Sequence, residues 1–324
     1  MTNTPRCLVV TATNDDYAKG VKGMIKSFIL NSGLSSDYLV LGKNLSSQNK
    51  KTLSDLPRTR VHNLWLHNAR DHWCTWILEI FFLEETSDYD YVFYVDSDIM
   101  VRKNLTGFVD KFSSYSKADM CVIDHKRVWH KDWFWKGGEI NPGWEEISRH
   151  KGLEHFYIKH RHKNGFPHPQ TSGNIHETLA DIEDIMAFSK LADLHVEELW
   201  EDDQMYESFK GLKFYKPHVF NAGFIVFKNI FFGSSKHKKL KKSILNKKPE
   251  NDETFLRSFF REESLLHAPT SFNARVIWLD KYGDDYSDED VHVMHFVGQE
   301  NNPWLNNKTK WEAEWHKIFN KRKF

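Results

Sequence analysis

The chain predicts an α/β fold: a largely parallel sheet flanked by helices, in a single domain over residues 1–324 that carries a long insertion at about 126–218. Three observations predict it. Short β-rich apolar runs alternate with segments whose apolar residues recur at three and four. Two of the runs, "CLVVTAT" (7–13) and "YVFYV" (91–95), stop abruptly at small polar or acidic residues. Strands of an open parallel sheet end this way where their carboxyl ends form a ligand-binding edge. No polar linker separates a second core.

The elements follow in order. "CLVVTAT" reads as the first strand. From Tyr17 to Asn31, Val21, Met24, Ile25, Phe28 and Ile29 keep helical spacing. "YLVL" (38–41) is a second strand, followed by a short helix and by "TRVHNL" (59–64) as a third. "WCTWILEIFFLEE" (73–85) reads as a strongly apolar helix feeding the strand Tyr91–Val95. The middle is different: "VWHKDWFWKGGEINPGW" (128–144) is crowded with Trp, Gly and Pro, "HRHKNGFPHPQTSGN" (160–174) reads as a loop, and 177–200 as helix. Alternation returns with the strand "VFNAGFIVFKN" (219–229), a basic helix, a helix "DETFLRSFF" (252–260), a strand "VHVMHF" (291–296) and a closing helix "TKWEAEWHKIFNK" (309–321).

Composition narrows the function. Lys plus Arg and Asp plus Glu number 45 each, so the formal net charge is zero and nothing in it calls for nucleic acid. The basic tracts "SSKHKKLKKSILNKK" (234–248) and "NKRKF" (320–324) read as a solvated helix face and a tail, the first leaving open a weak contact with an anionic surface. Hydrophobic residues at 40% and aromatics at 15% are ample for a packed core. Cys7, Cys74 and Cys121 lie in apolar stretches without close spacing, which argues against a disulfide framework and a zinc site. With no apolar leader or membrane-length run, a cytoplasmic protein with reduced thiols is the expectation; the oligomeric state is open.

The carboxylates Asp96 and Asp98, one residue apart at the end of a buried strand, carry the first chemical signal. Like charges so placed repel, and a hard divalent cation such as Mg²⁺ or Mn²⁺ would remove the repulsion. A solvated turn in which the aspartates cap backbone amides is the structural alternative.

Four segments resemble, in order, the glycogenin family, the family 8 retaining glycosyltransferases of GT-A fold: "VTATNDDYAKGVKGMIKSF" (10–28), "YVFYVDSDIMVRKNL" (91–105), "FNAGFIVFK" (220–228) and "HFVGQENNPW" (295–304). The resemblance implies a GT-A, Rossmann-like sheet and assigns roles by position. Ala12, Thr13, Asn14 and Tyr17 match the uridine site, with the Tyr ring on the base. Asp96 and Asp98 match metal ligands, Asp96 also lying near the ribose, and His295 matches the third ligand. One imidazole among oxygens favours Mn²⁺ modestly over Mg²⁺. Gly298 matches a close backbone approach to the diphosphate, and Asn221, Ala222 and Gly223 the lining of the sugar pocket.

Two departures stand out. The family usually carries a Lys just before Pro-Trp; here Asn301 and Asn302 precede Pro303 and Trp304, with one extra residue in the loop. Arg70 or another basic side chain would then have to meet the phosphate. The family's Asp-Gln pair after F-N-x-G is replaced by Asp252 and Glu253, while a "DDQ" at 202–204 lies out of order. Asp252 and Glu253 are preferred, Glu253 accepting hydrogen bonds where Gln would donate.

The implied reaction transfers a sugar from a UDP-sugar to an acceptor hydroxyl of a glycan, glycoside or protein, with retention of anomeric configuration. Trp129, Trp133, Trp135 and Trp144 suit either an acceptor lid, mobile about Gly137 and Gly138, or the core of an irregular insertion. Two other readings remain at this stage: a self-glucosylating primer protein, with Tyr282 and Tyr286 in a polar loop, and a catalytically silent sugar-nucleotide-binding protein.

Overall fold

The computed structural model describes residues 5–65, 73–116, 118–124, 136–137, 220–249, 252–260, 265–268, 270–276, 291–298, 301–305 and 310–321. Its main sheet is built from β1 (Arg6–Thr13), β2 (Ser35–Gly42), β3 (Thr59–Asn63), β4 (Tyr91–Val95), β6 (Met120–Asp124), β7 (Lys136–Gly137), β8 (Phe220–Lys228) and β9 (Leu265–Ala268). The spatial order is β3-β2-β1-β4-β8-β6-β9-β7. β3, β2, β1 and β4 are mutually parallel, as are β6 and β9, whereas β8 runs antiparallel to both β4 and β6, and β7 antiparallel to β9. A small second sheet joins β5 (Ile99–Val101), β10 (Ala274–Arg275) and β11 (Val293–His295), ordered β10-β11-β5.

The strand period of two sets which side chains face which layer. In β1, Cys7 and Val9 face one layer and Leu8 and Val10 the other. The first layer is covered by α1 (Ala18–Asn31), α2 (Ser47–Ser54) and α3 (Thr106–Ser114); Val21, Met24, Ile25 and Phe28 of α1 are all fully buried there. The second layer holds residues 73–82, α4 (Ser235–Lys247) and α5 (Asp252–Phe259). With both faces covered, the central strands are apolar almost throughout, which is how a buried mixed sheet reads. A third cluster packs the small sheet against α6 (Lys310–Phe319), whose Trp311, Trp315 and Ile318 recur at four and three.

Two elements differ from the sequence expectation. Residues 73–82 form a 3-10 helix rather than an α-helix. Thr75, Ile77, Leu78, Glu79, Ile80 and Phe81 are all buried, so the segment is enclosed nearly all round instead of presenting one apolar stripe. Strand β8 enters against the direction of β4, so its first residues, not its last, lie at the edge where β1 and β4 end. The remaining anticipated elements outside the middle segment form: β1, α1, β2, α2, β3, β4, β8, α4, α5, β11 and α6 match within a few residues. Of the expected insertion at about 126–218, only 136–137 are described, and 128–135, 138–144, 160–174, 177–200 and Asp203, like Tyr282 and Tyr286 beyond it, lie outside the described residues. Cys7 and Cys121 are buried free thiols and Cys74 is a half-buried one. Among the described residues no helix is long and apolar enough to cross a membrane.

Candidate active site

Strand β4 delivers Asp96 to the sheet edge, where its backbone N–H donates to the Gly223 carbonyl at 2.8 Å. The chain then turns through Ser97 and Asp98 into β5. β11 pairs antiparallel with β5, His295 opposite Ile99, and the Phe296 N–H donates to the Asp98 carbonyl at 2.9 Å. These backbone bonds place three side chains together. His295 Nε2 lies 3.2 Å from Asp98 Oδ1 and 3.7 Å from Asp96 Oδ2. One ligand atom from each of the three falls within 4.8 Å of the others, a group that could hold a metal ion.

The electrostatics fit a cation. Loss of hydration and the neighbouring Asp98 carboxylate push Asp96 up to about 6, against the relief given by His295 and by a hydrogen bond from Tyr94. Burial, then Glu253 and Asp96, holds Asp252 well above the usual carboxylate range. Among the described residues, His295 is the only base within ion-pair distance of Asp96 or Asp98. Two carboxylate oxygens and one imidazole nitrogen are a donor set for Mn²⁺ or Mg²⁺. Gly223 lets these side chains approach the β8 backbone: a Cβ there would come within 2.4 Å of His295 Cε1 and 2.8 Å of Asp96 Oδ2.

The start of β8 and the start of α5 form the adjoining wall. Glu253 Oε1 accepts from the Ala222 N–H at 2.8 Å and from Asn221 Nδ2 at 3.1 Å. The Glu253 N–H in turn donates to Asp252 Oδ1 at 2.6 Å. Glu253 thus acts as an acceptor tied to β8, the role a Gln could fill only through its amide oxygen. Asn221 Oδ1 accepts from the Gly223 N–H at 3.0 Å. On the other flank, β1 ends at Thr13, and Asn14 Oδ1 caps the short turn Asp15–Tyr17 by accepting from the Tyr17 N–H at 3.3 Å. Ala12 is buried in the second layer. The Tyr17 ring meets the edge of Trp304, centroids 5.6 Å apart. Gly20 lets that contact form, since a Cβ there would lie 2.5 Å from both Trp304 and the Ser97 carbonyl. Gly298 adopts φ 93°, a left-handed backbone that favours glycine, and its carbonyl accepts from the Asn301 N–H at 3.0 Å.

The sequence-predicted residues therefore converge on one edge: Asp96, Asp98 and His295 as a cluster, Asn221, Ala222, Gly223, Asp252 and Glu253 as a bonded wall beside it, and Ala12, Thr13, Asn14 and Tyr17 at the end of β1. Arg70 lies outside the described residues. Sequence reasoning missed Asn273 and Tyr94. Asn273 is buried between His295 and Asn221, and nothing in "TSFNARV" marks it. Tyr94 could have been suspected from its place two residues before Asp96.

No family profile and no curated protein sequence matches the chain. Solved structures do. The glycosyltransferase GlyE of Streptococcus pneumoniae TIGR4 superimposes with a TM-score of 0.54 at 13% identity, over 98% of this chain and 61% of that one. The bifunctional glycosyltransferase WbbM does so with a TM-score of 0.50 at 15% identity, over 98% and 52%. The chain thus spans about three fifths and about half of these two proteins. The fold is a GT-A glycosyltransferase fold, as the four motifs imply.

Proposed function

We propose that the chain is a metal-dependent glycosyltransferase that moves a sugar from a UDP-sugar to an acceptor hydroxyl with retention of configuration. The observation that carries this reading is the Asp96–Asp98–His295 group at the edge of a GT-A sheet, directly beside the bonded wall of Asn221, Glu253 and Asp252. Asp96, Asp98 and His295 would hold Mn²⁺ or Mg²⁺, which supplies Lewis-acid neutralisation of the diphosphate. The chain's own residues do the rest. Tyr17 offers its ring to the uracil, and Asn14, its oxygen committed to the Tyr17 N–H, offers amide donors. Gly298 brings the backbone close to phosphate. Asn221, Ala222 and Gly223 floor the sugar pocket. Asp252 faces the positive charge that develops on the sugar ring as its bond to UDP breaks, and a fixed carboxylate there stabilises the transition state more than the ground state.

The Lys-less loop before Pro303 is closed by Asn301, whose side chain donates to the Val297 carbonyl at 2.6 Å. The test is UDP release from a panel of UDP-sugars, with Mn²⁺, in the wild type and Asp252→Asn. The wild type is expected to release UDP slowly without acceptor, and Asp252→Asn at a rate lower by roughly 10²-fold, the scale for one electrostatic stabiliser. Intact mass after the incubation distinguishes transfer to the chain itself from transfer to a separate acceptor or water. No UDP release from any donor sinks the proposal.

A further inference from the structure

We infer that Asn273 is a positioning residue that fixes the tautomer of His295 and ties the metal-facing imidazole to the sugar-facing wall through one hydrogen-bonded chain. The inference rests on the metal-holding reading of Asp96, Asp98 and His295, and goes beyond it.

Amide orientation and imidazole tautomer are ordinarily assignments, because hydrogens are not seen. Here the backbone settles both. A peptide N–H can only donate. The Gly223 N–H points at one terminal atom of Asn221 at 3.0 Å, so that atom is the carbonyl oxygen. The Asn273 side chain meets the same oxygen at 3.0 Å, so the Asn273 atom there is its NH₂. The other Asn273 atom is then its oxygen, and it lies 2.9 Å from His295 Nδ1. An oxygen that only accepts requires a proton on Nδ1. The remaining nitrogen, Nε2, is the one that faces Asp98 and Asp96.

The same logic runs outward. Asn221 Nδ2 must donate, and it reaches Glu253 Oε1 at 3.1 Å, which also takes the Ala222 N–H. A single chain therefore links Nε2 of His295, through Asn273 and Asn221, to Glu253 and the first turn of α5. Asn273 is well placed to hold its part rigidly. It is only 4% exposed, and it sits at the head of β10, whose Arg275 pairs in register with His295 on β11. A histidine that presents one nitrogen to a metal generally donates the other to an oxygen acceptor, which raises its basicity and fixes its ring. What distinguishes Asn273 is that its second arm is a donor. It can accept from His295 and donate to Asn221 at once, which neither Asp nor Gly, Ala or Ser can do in the same geometry.

Two variants separate the two arms, and a third assigns the spectrum. Asn273→Ala removes both. Asn273→Asp keeps the acceptor for His295 and removes the donor for Asn221. His295→Gln identifies the His295 signal. Mn²⁺ affinity is read by electron paramagnetic resonance without nucleotide, and the His295 tautomer by long-range ¹H–¹⁵N correlation of the Mg²⁺-loaded protein. Asn273→Ala is expected to bind Mn²⁺ about 10- to 100-fold more weakly. Asn273→Asp is expected to bind it close to wild type, yet to turn over UDP-sugar more slowly. The wild type is expected to show His295 protonated on Nδ1.

Wild-type Mn²⁺ affinity in Asn273→Ala overturns the proposal, as does an equal loss in Asn273→Asp. Where the Ala variant fails to fold, the wild-type spectrum decides alone: a proton on Nε2 with Nδ1 bare contradicts the chain. A wild type that binds no Mn²⁺ removes the premise and the inference with it. Because Mn²⁺ binding and tautomer are read without sugar transfer, failure of the transferase reading leaves them standing and is seen separately.

Discussion

Asp96 and Asp98 stand at the end of a fully apolar strand, and their mutual repulsion is held there by backbone bonds to Gly223 and Phe296. Asp96, raised to about 6, prefers its proton in the folded chain more than in the unfolded one. A carboxyl whose folded value lies above its ordinary 3.8 contributes stability at low pH and loses it as pH rises through about 6. The metal-free protein is therefore expected to lose thermal stability between about pH 4 and pH 6.5, relative to Asp96→Asn, in which no such group ionises. Mn²⁺ should reverse the loss: its stabilising increment grows with pH and is small at pH 5, where protons compete for the ligands. Differential scanning of both proteins over that range, with and without Mn²⁺, checks the sign. An increment that is larger at pH 5 than at pH 7.5 contradicts it. At the neighbouring residue, Gly223→Ala is expected to weaken Mn²⁺ binding while the main sheet still forms. The added methyl meets His295 and Asp96 rather than the core, and Mn²⁺ titration of the variant measures this.

The elements show how much the sequence displayed. β1, β4 and β8 were legible because each is a short apolar run with a polar stop, and α1 and α6 because their buried residues keep helical spacing. The edge residues Asp96, Asp98, Asn221 and His295 were legible because their motifs fall at strand ends. What was not legible depends on partners distant in the chain. Strand direction is one case: "FNAGFIVFK" reads the same whichever way β8 runs, and only pairing with Phe93 and Val122 neighbours decides. The 3-10 geometry of 73–82 is another, since its apolar run would suit either helix, and its burial against α4, α5 and the sheet depends on residues distant in the chain. Asn273 is the third, an ordinary amide until β10 sets it beside β11. Element order is the ground for proposing Asp252 over the out-of-order Asp203, which lies outside the described residues. α5 comes after β8 and α4 in the chain, its first turn is bonded to the start of β8, and the raised Asp252 carboxyl senses Asp96. Asp252→Asn should depress both transfer and hydrolysis, and Asp203→Asn should spare hydrolysis and raise the acceptor KM. Steady-state kinetics with and without acceptor measure both, and the reverse pattern assigns the role to Asp203.

At the scale of the molecule, the small sheet and α6 hold the site against the large sheet. Lys26 of α1, 6% exposed, donates to the Phe319 carbonyl at 2.5 Å and the Lys321 carbonyl at 2.8 Å, closing the end of α6 with a charge-assisted pair of bonds. Gly23 leaves the space in α1 that Trp315 fills. Lys26→Met should cost about 1.5–3 kcal/mol, the range for hydrogen bonds to a charged donor, read as a fall in the urea midpoint at constant slope. α6 in turn supports Trp304, whose ring lies 6.0 Å from Trp315 and meets Tyr17. The proposed base site, metal group and sugar wall are thus parts of one edge, and the central claim is that a nucleotide binds across them only with a divalent ion. Calorimetric titration of UDP into the protein, in Mn²⁺ and in chelator, tests it most directly. The expected result is saturable UDP binding in Mn²⁺ that is lost in chelator and in Asp98→Asn, with the variant still unfolding cooperatively. Equal UDP affinity with and without the metal, or tighter binding of GDP than of UDP, contradicts it.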